Sequence, residues 1–320
     1  MKKGLVLVLL AALSLSLTNC QRGGEQAGGG GRQRIALVMK TANNPFFIEM
    51  QKGAEEAAKR LGVDLVVQAA EREVDVEKQM QIVENLIQTR VAALCVTPSG
   101  SREIVPAIDK ANKANIPVVI VDTRVDAKAL ADSGGRVATF IGSDNYEGGK
   151  VAGEFLAKHL NGKGKVAVLE GIPGHETGDS RLRGFRDALK ATPGVEIVAS
   201  QTANWERDQG FNVFQNILQS HPDVSAVFAC SDLMALGAVE AIAAAKKTGQ
   251  IAVVGFDALS EARDAIRQGS MVATVAQSPD RMGAMAVENA VKLLKGEQVS
   301  AEFVVPIKLV TKETAAEGGK

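Results

Sequence analysis

From Ile35 onward, short apolar runs alternate with longer stretches in which apolar residues recur at three- and four-residue steps. The runs lie near Ile35 to Met39, Asp64 to Gln68, Ala92 to Thr97, Val118 to Val121, Val137 to Ile141, Lys165 to Leu169, Glu196 to Ser200, Ala226 to Ala229, Ile251 to Phe256 and Val272 to Ala276. Between them, Val76 to Thr89, Tyr146 to Leu160 and Trp205 to Leu218 carry the helical period. Several runs are apolar throughout, as strands are when helices cover both faces of a parallel sheet. The pattern predicts an α/β chain, doubly wound, with two sheets.

Crossings between two lobes are expected near Ser143, Gln277 and Pro306. The first is expected because A-T-F-I-G-S-D-N ends a strand with no long helix before it. Phe303 to Val310 then reads as one last short strand returning to the second lobe, and three crossing strands make a hinge. Expected bounds are 34–143 with 278–306 for the N-terminal lobe, and 144–277 with 307–320 for the C-terminal lobe. About 290 of the 320 residues belong to this body, more than one core usually takes.

The amino terminus bears on location. Lys2 and Lys3 precede an apolar stretch, Leu5 to Leu17, short for a membrane span but suited to the core of a secretory signal. L-T-N-C at Cys20 resembles a bacterial lipobox, which implies residues 1–20 as a lipoprotein signal and a lipid anchor on Cys20. Asn19 stands where a small residue is usual; a plain cleaved signal with an incidental cysteine is the other reading. Residues 21–33 are glycine-rich without apolar periodicity, a flexible tether with a reach of roughly 18 Å.

Charge excludes some functions. With 37 basic and 37 acidic residues there is no net field to hold nucleic acid or an anionic membrane surface. Cys95 and Cys230, beyond Cys20, sit in or beside apolar runs and read as buried thiols rather than a disulfide or metal site. His159, His175 and His221 share no ligand spacing.

Candidate chemistry starts at N-N-P-F-F, Asn43 to Phe47, directly after the first strand. Open parallel sheets bind ligands in the crevice at the carboxyl ends of their strands. Rings offer flat apolar walls and amides offer paired polar groups, a combination that suits a sugar. Asn44 and Pro45 also read as an N-cap and first helical residue, which alone would account for N-P. Two successive phenylalanines leave a first turn on different sides, so at least one should face the crevice or solvent.

I-A-L-V-M-K-T-A-N-N-P-F-F, A-N-I-P-V-V-I-V-D, G-S-D-N-Y-E-G-G-K, A-S-Q-T-A-N-W-E-R, H-P-D-V-S-A-V-F-A-C-S-D, V-V-G-F-D and V-A-T-V-A-Q-S-P-D occur in that order over some 280 residues. In these motifs the chain resembles the ribose/allose branch of periplasmic sugar-binding proteins, type I. The resemblance implies two Rossmann-like lobes, a three-strand hinge, a monosaccharide between the lobes and delivery to an ABC permease in the inner membrane.

Carried over residue by residue, the family's sugar contacts fall on Lys40, Asn44, Phe46, Phe47, Asp122, Asp179, Trp205, Ser231, Asp257 and Gln277. Lys40 matches the allose type, where the ribose type has serine. After Asp122 the ribose type continues with arginine, whereas here Thr123 precedes Arg124. Asp179 falls where the ribose type has arginine and the allose type a carboxylate, and Ser231 where both usually have asparagine. These departures favour a hexose, allose-like or a ketohexose, over a pentose.

Structural roles compete at several of these positions. Asp122 could bind turn amides, Asp232 reads best as the cap of the following helix, Phe256 could be core, and Lys40 could be solvated. Trp205 lies off the apolar stripe of its helix, which favours a cleft role. No catalytic residue, cofactor or metal is suggested: G-I-P-G-H-E-T-G matches neither nucleotide-loop pattern, and G-x-S-x-G is not found. The resulting expectation is a monomeric binding protein, lipid-anchored in the periplasm or at the outer surface of the cell membrane. Alternatives are a sensory receptor that presents its closed form to a chemoreceptor or kinase, and a lactose-repressor-type regulator core. The last is disfavoured by the export signal.

Overall fold

The computed structural model describes residues 32–315. Cys20, the signal before it and nearly all of the 21–33 tether lie outside the described residues.

Two six-stranded sheets share one plan. The first contains β1 (Arg34–Thr41), β2 (Asp64–Ala70), β3 (Ala93–Val96), β4 (Val118–Val121), β5 (Thr139–Ser143) and β11 (Glu302–Val305), in the order β11-β5-β4-β3-β1-β2. The second contains β6 (Gly164–Glu170), β7 (Val195–Thr202), β8 (Ala226–Ala229), β9 (Ala252–Asp257), β10 (Ala273–Ala276) and β12 (Lys308–Thr311), in the order β12-β10-β9-β8-β6-β7. In each, the first five strands follow the doubly wound order 2-1-3-4-5. That order reverses between its first and third strands and so opens a crevice there. Central strands β1, β3, β4 and β8 are buried almost end to end, whereas edge strand β2 is partly exposed.

Helices α1 (Pro45–Leu61), α2 (Val76–Gln88), α3 (Val105–Lys113), α4 (Ala127–Ser133) and α10 (Pro279–Leu294) pack on the first sheet, α10 crossing α1 and lying on β3, β4 and β5. Helices α5 (Asn145–His159), α6 (Glu176–Leu189), α7 (Arg207–Ser220), α8 (Asp232–Ala244) and α9 (Ser260–Gln268) surround the second. The chain therefore passes between lobes after β5, after β10 and between β11 and β12.

Phe303 to Val310, expected as one strand, is two. Pro306 has no N–H to donate and separates β11, parallel to β5, from β12, antiparallel to β10. Helix α7 starts at Arg207 rather than Trp205, because Asn204 and Trp205 hold positive φ (51° and 67°), outside the helical region.

Close helix crossings set the site's framework. A Cβ on Gly149 of α5 would lie 1.9 Å from the Arg181 carbonyl oxygen, and one on Gly184 of α6 would lie 2.0 Å from the Tyr146 carbonyl oxygen. Only glycine lets these backbones meet, and the contact fixes the part of α6 that carries Arg181.

Candidate functional site

The strand ends of both sheets face one another across a narrow cavity of about 30 Å³. Its first-lobe wall comes from three strand-to-helix turns. Asn44 caps α1 by accepting a hydrogen bond from the Phe46 N–H at 3.0 Å, and its Nδ2 donates to Glu73 Oε1 at 3.0 Å. The capping role and the cavity role thus coexist, one on each end of the amide. Phe46 and Phe47 both line the cavity and meet edge to face, with ring centroids 5.3 Å apart.

Lys40 is buried, with Nζ 3.5 Å from Asp122 Oδ2 and 3.9 Å from Glu73 Oε2. Asp122 also accepts from Thr123 Oγ1 at 2.9 Å and holds φ at +63°. Burial raises the Glu73 carboxyl above its ordinary range, against the opposing pull of Lys40. Gln79 ties these turns together: its Nε2 donates to the carbonyls of Thr97 and Met39, and its Oε1 accepts from the Ser99 N–H at 2.8 Å.

On the second lobe, Arg181 is the central cation. Its Nε donates to Asn145 Oδ1 at 2.8 Å and its Nη1 to the Cys230 carbonyl at 2.7 Å; its guanidinium carbon lies 3.7 Å from the Phe256 ring centroid. Asp257 Oδ1 is 3.6 Å from Nη1 and accepts from Gln277 Nε2 at 2.8 Å. Burial pushes the Asp257 carboxyl up to about 7, with Arg181 pulling the other way. Asp257 and Ala258 hold φ at +113° and +57°, values unfavourable for side-chain-bearing residues. A buried brace maintains them. Asp232 accepts from the Leu259 N–H at 2.8 Å and from Thr274 Oγ1 at 2.7 Å, while the Ala258 N–H donates to Thr274 Oγ1.

The capping role expected of Asp232 therefore belongs to Ser231, whose hydroxyl accepts from the Met234 N–H. Trp205 closes the second-lobe wall. Its indole fits only because Gly171 lacks a side chain, since a Cβ there would lie 1.9 Å from the ring.

Nine of the ten residues expected from the sequence line this cavity; Asp179 does not. It sits two residues before Arg181 on α6, on the opposite side of the helix, where it is exposed and takes a hydrogen bond from the Gly174 N–H. Three liners escaped the sequence reading: Glu73, Thr177 and Arg181. Thr177 and Arg181 are four apart on the buried face of α6, so helical phase was the available signal. Phe256 is core, beneath the guanidinium. Arg124 lies against the Phe140 ring and pairs with Glu302, away from the cavity.

The family model described as a periplasmic binding protein domain matches residues 35–298. The chain belongs to this family. Among characterised periplasmic binding proteins, it is 40% identical over 313 residues to the ribose import binding protein of Escherichia coli, covering 98% of this chain and 99% of that one. It is 36% identical over 265 residues to the D-allose-binding periplasmic protein of the same organism, covering 82% and 85%. A crystal structure of a periplasmic solute-binding protein from Actinobacillus succinogenes with bound D-allose superposes with a TM-score of 0.85 at 40% identity, covering 89% of this chain and 100% of that one.

The polar groups that line the cavity include several that can pair with two partners at once. Asp122, Asp257, Asn44 and Gln277 each present two close donors or acceptors on one planar group. Gln277 Oε1 and Thr177 Oγ1 are buried without a protein partner among the described residues, a state that costs about 1 to 3 kcal/mol per group until an acceptor or donor arrives.

Proposed function

We propose that this protein is the substrate-binding component of an ABC importer for a monosaccharide, held at the cell envelope by a lipid on Cys20. The sugar binds between the lobes and stabilises their closure, because each lobe carries only half of the contacts. Binding, not bond cleavage, is the activity. A hexose of the allose or ketohexose type is the preferred ligand, and the monomer is the working unit.

One observation carries this reading. Aromatic faces from both lobes, Phe46 and Phe47 opposite Trp205, enclose two cations that already have carboxylate neighbours, with polar atoms left to be satisfied. The cations are internally balanced, so the site suits an uncharged polyol with apolar C–H faces. Relatives that bind ribose and D-allose support the same class, and Lys40, where the ribose-type pattern has serine, supplies a further polar contact.

Calorimetric titration of the purified protein with D-allose, D-ribose, ketohexoses and inositol tests it. Binding in the micromolar range or tighter is expected for a hexose, with D-ribose weaker. A micromolar ligand at millimolar concentration should stabilise the fold by about 4 kcal/mol. No heat with any free monosaccharide would overturn the proposal. Cys20→Ser should move the protein from the membrane fraction to the soluble fraction; an anchored variant would refute the lipid attachment.

A further inference from the structure

His175 lies on the turn between β6 and α6, outside the cavity lining, and the residue is only 3% exposed. It joins three parts of the molecule. Its Nδ1 accepts the indole N–H of Trp205, with Nε1 at 3.4 Å, which leaves the other ring nitrogen as the donor. The ring's second partner is the backbone of Ser99, across the cleft on the first lobe. Ser99 is itself tied to the first-lobe framework through Gln79. Two more contacts cross the same seam: the Glu176 N–H donates to Ser101 Oγ at 3.3 Å, and Arg72 Nε lies 3.7 Å from Glu206 Oε1.

We infer that His175 is a positioning residue that couples lobe closure to the orientation of the Trp205 wall, and that protonation of its imidazole opens the cleft and weakens ligand binding. The inference rests on the monosaccharide reading of the cavity. A protonated ring would turn Nδ1 into a donor facing the indole N–H, so the wall loses its partner. It would also place a second cation in a dry seam near Lys40.

The charged groups around the ring are engaged elsewhere, apart from one oxygen of Glu176. Lys40, on β1, is the charged group that acts on the ring. Glu73 is turned to Lys40 and Asn44, Asp179 to the Gly174 N–H, Arg181 to Asn145 and Asp257, and Glu206 to Arg72, while Glu176 takes Ser180 on Oε1 and has Oε2 buried without a protein partner among the described residues. Burial, then Lys40, lowers the imidazole to about 3. When the lobes part, both Ser99 and Lys40 leave with the first lobe and the ring returns toward its ordinary value of about 6.5. The closed form excludes a proton that the open form accepts. Closure is therefore unimpaired above about pH 6.5 and weakens about tenfold per pH unit below it.

The test compares the full-length protein with His175→Gln, which keeps an amide oxygen for the indole and an N–H for Ser99 but does not titrate. D-allose is the probe, titrated calorimetrically at pH 7.5 and pH 5.5. Parent affinity should fall about tenfold more across this span than that of the variant. Any titration of Asp257 is shared by both proteins and cancels in the comparison. His175→Ala should bind more weakly than His175→Gln at pH 7.5, because it leaves the indole without an acceptor. Equal pH dependence in parent and His175→Gln would overturn the inference while leaving the sugar reading intact.

If no monosaccharide binds at any pH, the proposed function fails instead, and the inference is read from the ligand-free protein. Trp205 is the only tryptophan in the chain, so its emission reports the wall directly. It should titrate between pH 5 and 7 in the parent and stay flat in His175→Gln; a flat parent profile overturns the inference.

Discussion

Asp257→Asn should stabilise the ligand-free protein while disabling the site. Asp257 is a buried carboxylate whose folded-state value is raised from 3.8 to about 7. A raised carboxyl means that the native state binds the proton more tightly than the unfolded chain does. Native stability accordingly falls as pH rises from about 4 to about 7 and is level above that. The shift of about three units corresponds to something on the order of 4 kcal/mol of burial penalty at pH 8. Asparagine carries no charge and escapes it. Its Nδ2 can donate to Gln277 Oε1, which lacks a partner, once that amide turns over. Arg181 loses one neighbour but keeps Asn145 and the Cys230 carbonyl, which offsets part of the gain.

At about 2 °C per kcal/mol for a chain of this size, Tm should rise by about 5 °C at pH 8 and by almost nothing at pH 4.5. Scanning calorimetry of both proteins at pH 4.5, 6 and 8 measures it. A variant no more stable than its parent at pH 8, or equally stabilised at every pH, refutes the burial argument. The same variant should lose at least tenfold in sugar affinity, because a bidentate acceptor has become half donor.

Gly171→Ala should push the Trp205 indole from its seat, with at least a tenfold loss of sugar affinity and a shift in tryptophan emission; an unchanged spectrum would refute the steric account. Arg181→Met leaves Asp257 buried without its cation, so denaturant unfolding should show a loss of about 3 kcal/mol at pH 8 and a smaller one at pH 5, where Asp257 takes up a proton. Burial pushes the Cys95 and Cys230 thiols up to about 12. Neither should react with a thiol reagent at pH 8 until denaturant is added; rapid native labelling at either position would contradict the packing.

Much of the fold was legible because its signals are local. Alternation of apolar runs with helical stripes located ten strands to within a few residues, and Asn44, Pro45 and Gly62 mark the start and end of α1 in the sequence itself. The carboxyl end of the first strand then pointed to Asn44, Phe46 and Phe47 as crevice residues, whereas Asp122 and Asp257 came from the family resemblance. What stayed hidden depends on phase or on distant partners. Arg181 lies one half-turn of helix beyond Asp179, and only the buried stripe of Thr177, Arg181, Gly184 and Phe185 distinguishes them. Glu73 sits in E-R-E-V-D, which reads as a solvated acidic turn until β2 brings it against Lys40 and Asn44. Asp232 resembles a helix cap because its brace to Leu259 and Thr274 joins residues 27 and 42 positions away.

The charge pattern limits what the cavity can accept. Three carboxylates, Glu73, Asp122 and Asp257, line it with two cations, Lys40 and Arg181, so a phosphorylated sugar would add negative charge to a dry site that already has an excess of it. Inside the cavity each lobe holds one cation beside its own carboxylates, and the ion pair that does cross the seam, Arg72 with Glu206, is partly exposed and worth little. Closure alone therefore gains little electrostatically. On the proposed reading, the hydroxyls of a bound sugar, each able to donate once and accept twice, link the Lys40 cluster to the Arg181 cluster. A ligand lacking hydroxyls at one end of its ring would satisfy one lobe only. It should bind with a small fraction of the affinity and leave the cleft open, and small-angle scattering with the matching deoxy sugar can check that.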